Sequence, residues 1–530
     1  MFGTLSGLVN LAPQNRLAPE DIPPPTPISL PRYQPFAQDD DASLNPQDAL
    51  SNLLKSTGRS TAALGPIGLS AIGFDLKLDA ETKDLIPDPS YIPDFGQWDR
   101  LTPDEARDQN NSARRLLRNG NLSPGCQVYL ERYKELSHGN EDAFRTVRRI
   151  PPPKGKQQAR LGNAYEFFRC LELFTTYWDD PTQPPALPPS PEISASEKKE
   201  PSEGAQTQTD GVGKEPPKFM VIRTAEGSAM PPEFRINLIT AFVKLVSYDF
   251  GCNVSMARVE PRLHFSSPED HPHPRKSHIA SNCHFVFQSP TSRETARAGL
   301  VYGPVATVSA RPTVSFTTPN VETAQSLDLA REVLAALIAA QHRAREGKTE
   351  KRFGEGEWWT SKPRWGGGPG GPIGREIERD ATQGDKDVKP EEGAKVMQRL
   401  AKRPRKNVPI YDNYRMVRAP SYTWDRKARY EAIGKQKGAD FDDIFVISSL
   451  FHHMSIIRIR VPNRLLEVLD GSPDPDTSRR SWGKVQAWRS RWYDLFETDQ
   501  RLAAMQLIWA MISYQMRGEA VGEDINMADG

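Results

Sequence analysis

The strongest constraint on the fold is a stretch that cannot join any core. Residues 181–217 read PTQPPALPPSPEISASEKKEPSEGAQTQTDGVGKEPP, with many prolines and few large apolar side chains. Such a segment cannot bury enough apolar surface to offset the conformational entropy lost on ordering. We therefore expect a disordered linker over residues 179–217, with folded regions on both sides of it.

Other stretches of similar composition divide the rest of the chain. The sequence holds 47 prolines in 530 residues, and its mean hydropathy is -0.62. We expect a disordered proline-rich tail over 1–45, a linker rich in tryptophan, glycine and basic residues over 348–407, and an acidic tail over 518–530. The remaining ranges predict a helical region (46–178), a central α+β domain (218–347) and a strand-plus-helix region (408–517). The expected fold class is therefore α+β and multi-domain, with long disordered linkers.

Local signals predict several helices. Thr102 followed by Pro103 is typical of a helix start, as is Pro232 followed by Glu233. Phe167, Leu171 and Phe174 recur about one turn apart, which indicates an apolar helix face.

The 408–517 region combines one strand with helices. The alternation in MSIIRIRV predicts a strand with Ile457 and Ile459 on one face. The spacing of Val485, Trp488 and Trp492 favours a helix, and the apolar residues after Thr498 continue it. We therefore expect this C-terminal region to be mostly helical.

The central region allows two chain orders. Segments KFMVIR, NVSMARVEPRLHF, NCHFVFQS and VATVSARPTVSF have strand character, and helices are expected after residues 231 and 318. A further short helix over 290–299 gives the ferredoxin-like β-α-β-β-α-β order, which RNA-recognition domains share. A loop over 290–299 gives instead the α-β-β-β-α order of double-stranded-RNA-binding domains. Both describe a central α+β sandwich.

Motifs for catalysis are weak. Gly366, Gly368 and Gly371 match G-x-G-x-x-G, but no hydrophobic strand precedes them and Pro369 removes one amide donor. Phosphate binding is not expected there, and the protein is predicted to be non-catalytic, without a cofactor. An enzyme of unfamiliar pattern is the third hypothesis.

The histidine pattern does not favour a metal site. His271 and His273 could converge across one proline, but the other candidates are adjacent pairs. Neighbours in a strand point to opposite faces, which separates Cys283 from His284 and His452 from His453. We therefore expect no bound metal.

Three tryptophans need a binding surface. Trp358, Trp359 and Trp365 lie beside the glycine run, and exposed indoles lower solubility. We expect them to insert into a groove, either on this protein or on a partner, because tryptophan is enriched at binding hot spots.

The basic stretch over 399–437 carries the main functional signal, with twelve Lys/Arg and three Asp/Glu. Lys402-Arg403-Pro404-Arg405-Lys406 fits a short nuclear-import signal. Aromatic residues follow among the positive charges, a combination suited to phosphate contact with base stacking. The candidate nucleic-acid contacts are Arg415, Arg418, Tyr422, Trp424, Arg426 and Lys427.

Compartment signals agree with this. Cys126, Cys170, Cys252 and Cys283 form no C-x-x-C pair, so reduced buried thiols are expected. No apolar run has the roughly 20 residues of a membrane span, and the first residues lack the basic start of an export signal. We predict a non-catalytic nuclear interaction subunit of a nucleic-acid-associated assembly, with RNA favoured over DNA. The alternative is a protein–protein scaffold without nucleic-acid contact.

The import signal gives a first prediction. A fluorescent fusion with Lys402, Arg403, Arg405 and Lys406 all changed to alanine should leave the nucleus, because compact positive charge is what the import receptor binds. Imaging against the wild-type fusion measures this. A variant as nuclear as the wild type would contradict the assignment.

Overall fold

The fold was described from a computed structural model. It describes residues 22–32, 66–183, 223–255, 261–268, 276–288, 300–346, 429–473 and 480–518. Within these ranges the helices are α1 (Pro66–Ala71), α2 (Thr82–Leu85), α3 (Phe95–Trp98), α4 (Pro103–Gln109), α5 (Cys126–Leu136), α6 (Asn140–Val147), α7 (Tyr165–Phe174), α8 (Pro232–Ser247), α9 (Val321–Arg343), α10 (Asn463–Leu469) and α11 (Thr498–Gln515).

The strands of the same ranges form one large sheet and one hairpin. They are β1 (Phe74–Lys77), β2 (Cys252–Ser255), β3 (Arg262–Ser266), β4 (Lys276–Ala280), β5 (His284–Gln288), β6 (Leu300–Arg311), β7 (Arg429–Glu431), β8 (Phe441–Leu450), β9 (His453–Pro462), β10 (Val485–Arg489) and β11 (Tyr493–Asp494). The large sheet is mixed and has the order β1-β10-β9-β8-β6-β5-β2, with β11 paired to β9 and β7 to β6. Strands β3 and β4 form the separate hairpin.

The sheet joins segments that are far apart in the chain. Strand β6 pairs in parallel with β8, from Thr307 opposite Val446 to Arg311 opposite Leu450. Strand β1, from the N-terminal region, pairs in parallel with β10. The helical, central and C-terminal regions of the sequence therefore all contribute strands to one sheet. The α+β class is confirmed.

Helices cover both faces of this sheet. Alternate residues of β8 point to opposite sides: Phe445 and Ile447 join one apolar cluster with α5, α7, α8 and α11. Ile444 and Val446 join the other, with α1, α9, α10 and the β3–β4 hairpin. The core is therefore built in three layers, with the sheet in the middle.

This layering bears on the two chain orders expected for the central region. Helices α8 and α9 pack on opposite faces of the sheet. The aromatic residues of β5, Phe285 and Phe287, are buried on the α9 side, and Phe285 contacts His342 at 5.3 Å between ring centroids. An RNA-recognition domain stacks bases on exposed strand aromatics, so these two rings are not available for that role. Most of KFMVIR and all of 290–299 lie outside the described residues.

Several local expectations are confirmed and one is wrong. Helix α4 begins after Thr102 with a complete capping box to Glu105, and α7 buries Phe167, Leu171 and Phe174. The 485–495 segment is not a helix, because Val485, Ala487 and Arg489 alternate inward along β10. Its outward Trp488 lies under the Arg458 guanidinium, 3.8 Å from the ring centroid. Trp488 is therefore placed by cation–π packing against the neighbouring strand, although its spacing from Trp492 also matches one helix turn.

Part of the expected N-terminal tail packs on this body. Residues 22–32 run in an extended conformation, with Pro31 buried and Leu30 against the main core. Arg223 donates a hydrogen bond to the carbonyl oxygen of Pro23 (2.6 Å), and Gly227 N donates to Thr26 Oγ1 (2.9 Å).

Helix α9 is held to the sheet by buried ion pairs at its middle and at its C-terminal end. At the middle, Glu332 accepts hydrogen bonds from Arg489 of β10 and Ser448 of β8, and it pairs with Arg311 of β6 at 3.0 Å. Arg311 Nε also lies 2.5 Å from Asp328 Oδ1, although these atoms are not aligned as a hydrogen bond. This contact is therefore an ion pair held by charge.

At the C-terminal end of α9, Arg343 donates to the Asp442 carboxylate of β8 through Nε and Nη2, at 2.7 and 2.9 Å. The same guanidinium donates to the carbonyl oxygens of Pro304 and Ile433. These bonds fix the helix in register on the sheet.

The charge on Glu332 gives a stability prediction. Glu332→Gln keeps the side-chain volume but leaves Arg311 and Arg489 with less negative charge, and breaking a buried pair typically costs about 3–5 kcal/mol. Urea unfolding should show a loss of this size. The control Asp104→Asn, in the exposed pair with Arg107, should change stability little. Equal effects of the two substitutions would contradict the role of the buried cluster.

Candidate functional site at the carboxyl edge of the sheet

Four strands place their carboxyl ends at one edge of the sheet. β1 and β10 are parallel, β6 and β8 are parallel, and β9 lies antiparallel between β10 and β8. All four therefore run in one direction. Open α/β sheets bind ligands outside the carboxyl ends of their strands, so this edge is the first place to look for a site.

A histidine–aspartate cluster lies at this edge. His452 follows β8, His453 begins β9, and Asp494 ends β11 opposite His453 in the β11–β9 pairing. His452 Nδ1 lies 2.7 Å from Asp494 Oδ1, and His453 Nε2 lies 3.7 Å from Asp494 Oδ2. One ligand atom from each of the three residues lies within 4.8 Å of the others. All three side chains are buried.

The expectation that His452 and His453 separate is wrong. Their ring centroids are 4.3 Å apart, with 38° between the ring planes. Phe451 before them has φ 52°, in the left-handed region, so His452 belongs to the turn between β8 and β9. The alternation rule holds inside a strand and fails at a turn, and this brings both rings to Asp494.

Packing fixes these rings. The His452 ring contacts Phe496 edge-on at 4.8 Å between centroids and lies 6.2 Å from Trp178. Phe496 N donates a hydrogen bond to Asp494 Oδ1, and Asp494 N donates to Gln500 Oε1, each at 2.9 Å. The bond from Phe496 N and the contact with His452 Nδ1 orient the carboxylate, and the bond to Gln500 fixes the backbone of Asp494.

The protonation of the cluster follows from its burial and charges. Burial is the main cause that lowers the pKa of His453 and the charge of His452 adds to it, while Asp494 opposes the shift, so that the pKa falls to about 4. Burial alone would raise the pKa of Asp494, but its hydrogen bond to His452 and the histidine charges lower it overall. At neutral pH the site thus has a neutral His453 beside an ionised Asp494.

The buried cluster around Glu332 lies at the same edge and pairs carboxyl groups with guanidinium groups. Burial raises the pKa of both carboxyls, and at Asp328 burial prevails, so its pKa is raised. At Glu332 the charges of Arg311 and Arg489 outweigh burial and lower the pKa. Since two guanidinium groups face two carboxyls away from solvent, we assign this cluster a structural role.

An open cleft of about 750 Å³ also lies at the carboxyl edge. Arg491 lines it, with its guanidinium 4.9 Å from the ring centroid of Tyr493, and Lys83 faces it in an ion pair with Glu81. Its lining residues are Arg32, Asp79, Ala80, Glu81, Thr82, Lys83, Ile92, Arg491 and Tyr493. Charges of both signs are mixed there, so the cleft does not select an anion or a cation by charge alone.

The opposite edge of the sheet receives the end of the basic stretch. Backbone pairing places Leu300 of β6 opposite Arg429 of β7. Arg118 then donates to the carbonyl oxygen of Ala432 (3.0 Å), and Arg517 to that of Gly434 (2.9 Å). Gly434 has φ 78°, and a Cβ there would meet Gln515 Oε1 at 1.8 Å, so a residue with a side chain cannot replace it without a shift. The last residues of the basic stretch, from Arg429 onward, are therefore fixed to the body through their backbone.

The site residues predicted from the sequence lie outside the described residues. This holds for the import signal (Lys402, Arg403, Pro404, Arg405, Lys406), the nucleic-acid contacts (Arg415, Arg418, Tyr422, Trp424, Arg426, Lys427) and the tryptophan anchors (Trp358, Trp359, Trp365). His271 and His273 lie outside them too. All these assignments stay predictions.

The cysteines do not form a site. Cys126, Cys170, Cys252 and Cys283 are free and buried, and burial raises the pKa of Cys170, Cys252 and Cys283 to about 12 each. A thiol with so high a pKa is a poor nucleophile and metal ligand at neutral pH.

Comparison with known proteins gives no match: no protein-family model, no curated protein and no solved structure matches this chain. In the part of the chain that the structure describes, no helix is both long and apolar enough to cross a membrane. The function must therefore be argued from the residues themselves.

The carboxyl-edge cluster was missed by sequence reasoning because its members are distant. Asp494 is 41 residues from His453, and no spacing rule joins them.

The buried cluster around Glu332, by contrast, could have been predicted from the sequence. Asp328 and Glu332, four residues apart and followed by the apolar run VLAALIAA, must lie on one helix face, and buried acids require cationic partners.

Buried histidines give a prediction for pH dependence. His342 of α9 is 2% exposed, and burial lowers its pKa well below 6.5, with Arg345 and His264 lowering it further. It stays neutral in the fold but takes up a proton in the unfolded chain. This contribution to stability is therefore full above about pH 6.5 and is lost as the pH falls.

His342→Gln should flatten the fall in unfolding free energy between pH 7 and pH 5. One titrating group contributes at most about 1.4 kcal/mol per pH unit, so the difference in slope should approach that value. Urea unfolding at several pH values measures it. Parallel profiles for the wild type and the variant would contradict the assignment.

Proposed function

We propose that this protein is a non-catalytic interaction subunit of a nuclear, nucleic-acid-associated assembly, with RNA as the favoured nucleic acid. The basic stretch over 399–437 makes the contact, and the folded body presents it. The observation that carries this proposal is the attachment of the stretch to the sheet through β7.

The attachment sets how far the contact residues can reach. Lys427 is two residues before Arg429, the first residue of β7, and Arg415 is fourteen before it. An extended chain spans at most about 3.5 Å per residue, so Arg415 acts within about 50 Å of the sheet edge. A tethered cationic segment with interleaved aromatics can follow a phosphate backbone and stack on its bases.

The folded body supports the proposal because both faces of its sheet are already covered. Helices lie on both sheet faces, and the buried guanidinium groups of Arg311 and Arg489 face the carboxyls of Asp328 and Glu332. The sheet is thus a scaffold, and nucleic-acid contact falls to segments that leave its edges. Nuclear import through Lys402–Lys406 belongs to the same proposal.

The alternative is a protein–protein scaffold without nucleic-acid contact. Trp358, Trp359 and Trp365 favour it, because buried indoles anchor interfaces. A Trp358→Ala/Trp359→Ala variant that loses protein partners in pull-downs, in a protein without salt-dependent RNA binding, would select this alternative.

Salt dependence tests the proposed contact. The affinity for a labelled single-stranded RNA should fall steeply with salt, by about 0.7 in log–log slope for each phosphate contact. Changing Arg415, Arg418, Arg426 and Lys427 to alanine should therefore reduce that slope by about 3. Fluorescence anisotropy at several salt concentrations measures it.

The matched control removes four exposed cations that are scattered over the body: Arg100, Arg107, Lys134 and Lys484. It has the same net charge change and should keep the wild-type slope. If the two variants behave alike, general charge explains the binding and the stretch has no special part. No binding by the wild type would overturn the proposal.

A further inference from the structure

We propose that His452, His453 and Asp494 bind one divalent transition-metal ion, of which Zn²⁺ is the best match. Two imidazole nitrogens and one carboxylate oxygen are ligands that zinc commonly takes together. The inference is independent of the proposed nucleic-acid contact, because the cluster lies at the opposite edge of the sheet from β7.

The spacing of the donor atoms supports one shared ion. Zinc bonds of about 2.0–2.1 Å in a tetrahedral arrangement place ligand atoms about 3.3 Å apart. Here His452 Nδ1 lies 2.7 Å from Asp494 Oδ1 and His453 Nε2 lies 3.7 Å from Asp494 Oδ2, and one ligand atom from each residue lies within 4.8 Å of the others. A rotation of the carboxylate with small shifts of the two rings would bring one oxygen and both nitrogens onto one centre.

The charge around the cluster favours a divalent cation. The carboxylates of Asp180, Glu497 and Asp494 all act on the buried guanidinium of Arg501, which is the cation they share. Arg501 bonds chiefly to neutral acceptors, among them Leu136 O (2.8 Å) and Asn140 Oδ1 (2.7 Å). None of these bonds goes to Asp494, whose carboxylate contacts the two histidine rings and the Phe496 N–H, so a cation held between the rings would balance its charge.

The aromatic surroundings keep the site rigid. Trp178 and Phe496 fix the His452 ring, and the pairing of β11 with β9 fixes Asp494 beside His453. Ligands held in place before the ion arrives lose little entropy on binding it. The ion would join the β8–β9 turn to β11, and so connect segments that are 41 residues apart.

Metal content of the full-length protein, prepared without a polyhistidine tag, tests the site. After EDTA treatment, incubation with ZnCl₂ and desalting, the wild type should retain about one zinc per chain, and zinc should raise its melting temperature by a few degrees. Asp494→Asn and His452→Gln should each weaken zinc binding at least about tenfold. His453→Cys, which keeps a ligand atom, should still bind.

The matched control is His264→Gln/His278→Gln. It removes two histidines whose rings face each other across the β3–β4 hairpin at 5.9 Å, and it should retain zinc. Cobalt(II) in place of zinc should give a visible absorption band in the wild type and the control, and none in Asp494→Asn.

Two results would overturn the proposal. The first is a wild type that retains far less than one zinc and shows no rise in melting temperature, which would leave a simple His452–Asp494 hydrogen bond. The second is zinc retention that falls in the His264→Gln/His278→Gln control as much as in Asp494→Asn. The wild-type measurement decides the matter even if a site variant does not fold.

Discussion

The fold depends on one buried carboxylate. Glu332 of α9 lies between Arg311 of β6 and Arg489 of β10, and these two strands come from opposite sides of the 347–428 range. A buried charge is tolerated only with partners at close range, so the helix can dock only where both strands are already in register. The cluster therefore couples the docking of α9 to the positions of β6 and β10 in the sheet.

Once α9 is docked, the sheet has a helical layer on each face. This leaves its edges for function, and the two edges differ in chemistry. The β7 edge holds the backbone of the last residues of the basic, aromatic stretch that we propose to contact nucleic acid. The carboxyl edge gathers His452, His453 and Asp494 in a rigid aromatic setting, which suits a small cation. The two ligands that we propose, a polyanion and a small cation, would therefore lie at opposite ends of the same strands.

Much of the local structure was readable from the sequence. The cap at Thr102 and the alternation of β9 are interactions between near neighbours, which a short window contains. At β10 the local pattern gave the wrong prediction of a helix, because Trp488 fits a helical period as well as a strand period. The stacking of Arg458 on that ring decides between them, and it comes from a strand about 30 residues away.

The sequence by itself determined the α+β class and the basic stretch over 399–437, because composition and periodicity are local properties. Only the tertiary structure decided that strands from all three regions share one sheet, that helices cover both of its faces, and that two adjacent histidines meet a distant aspartate. Strand pairing is a contact between remote segments, and its register depends on which side chains can be buried together. The turn at Phe451 and the choice of partners for Glu332 both follow from that burial. A pattern along the chain therefore cannot predict them.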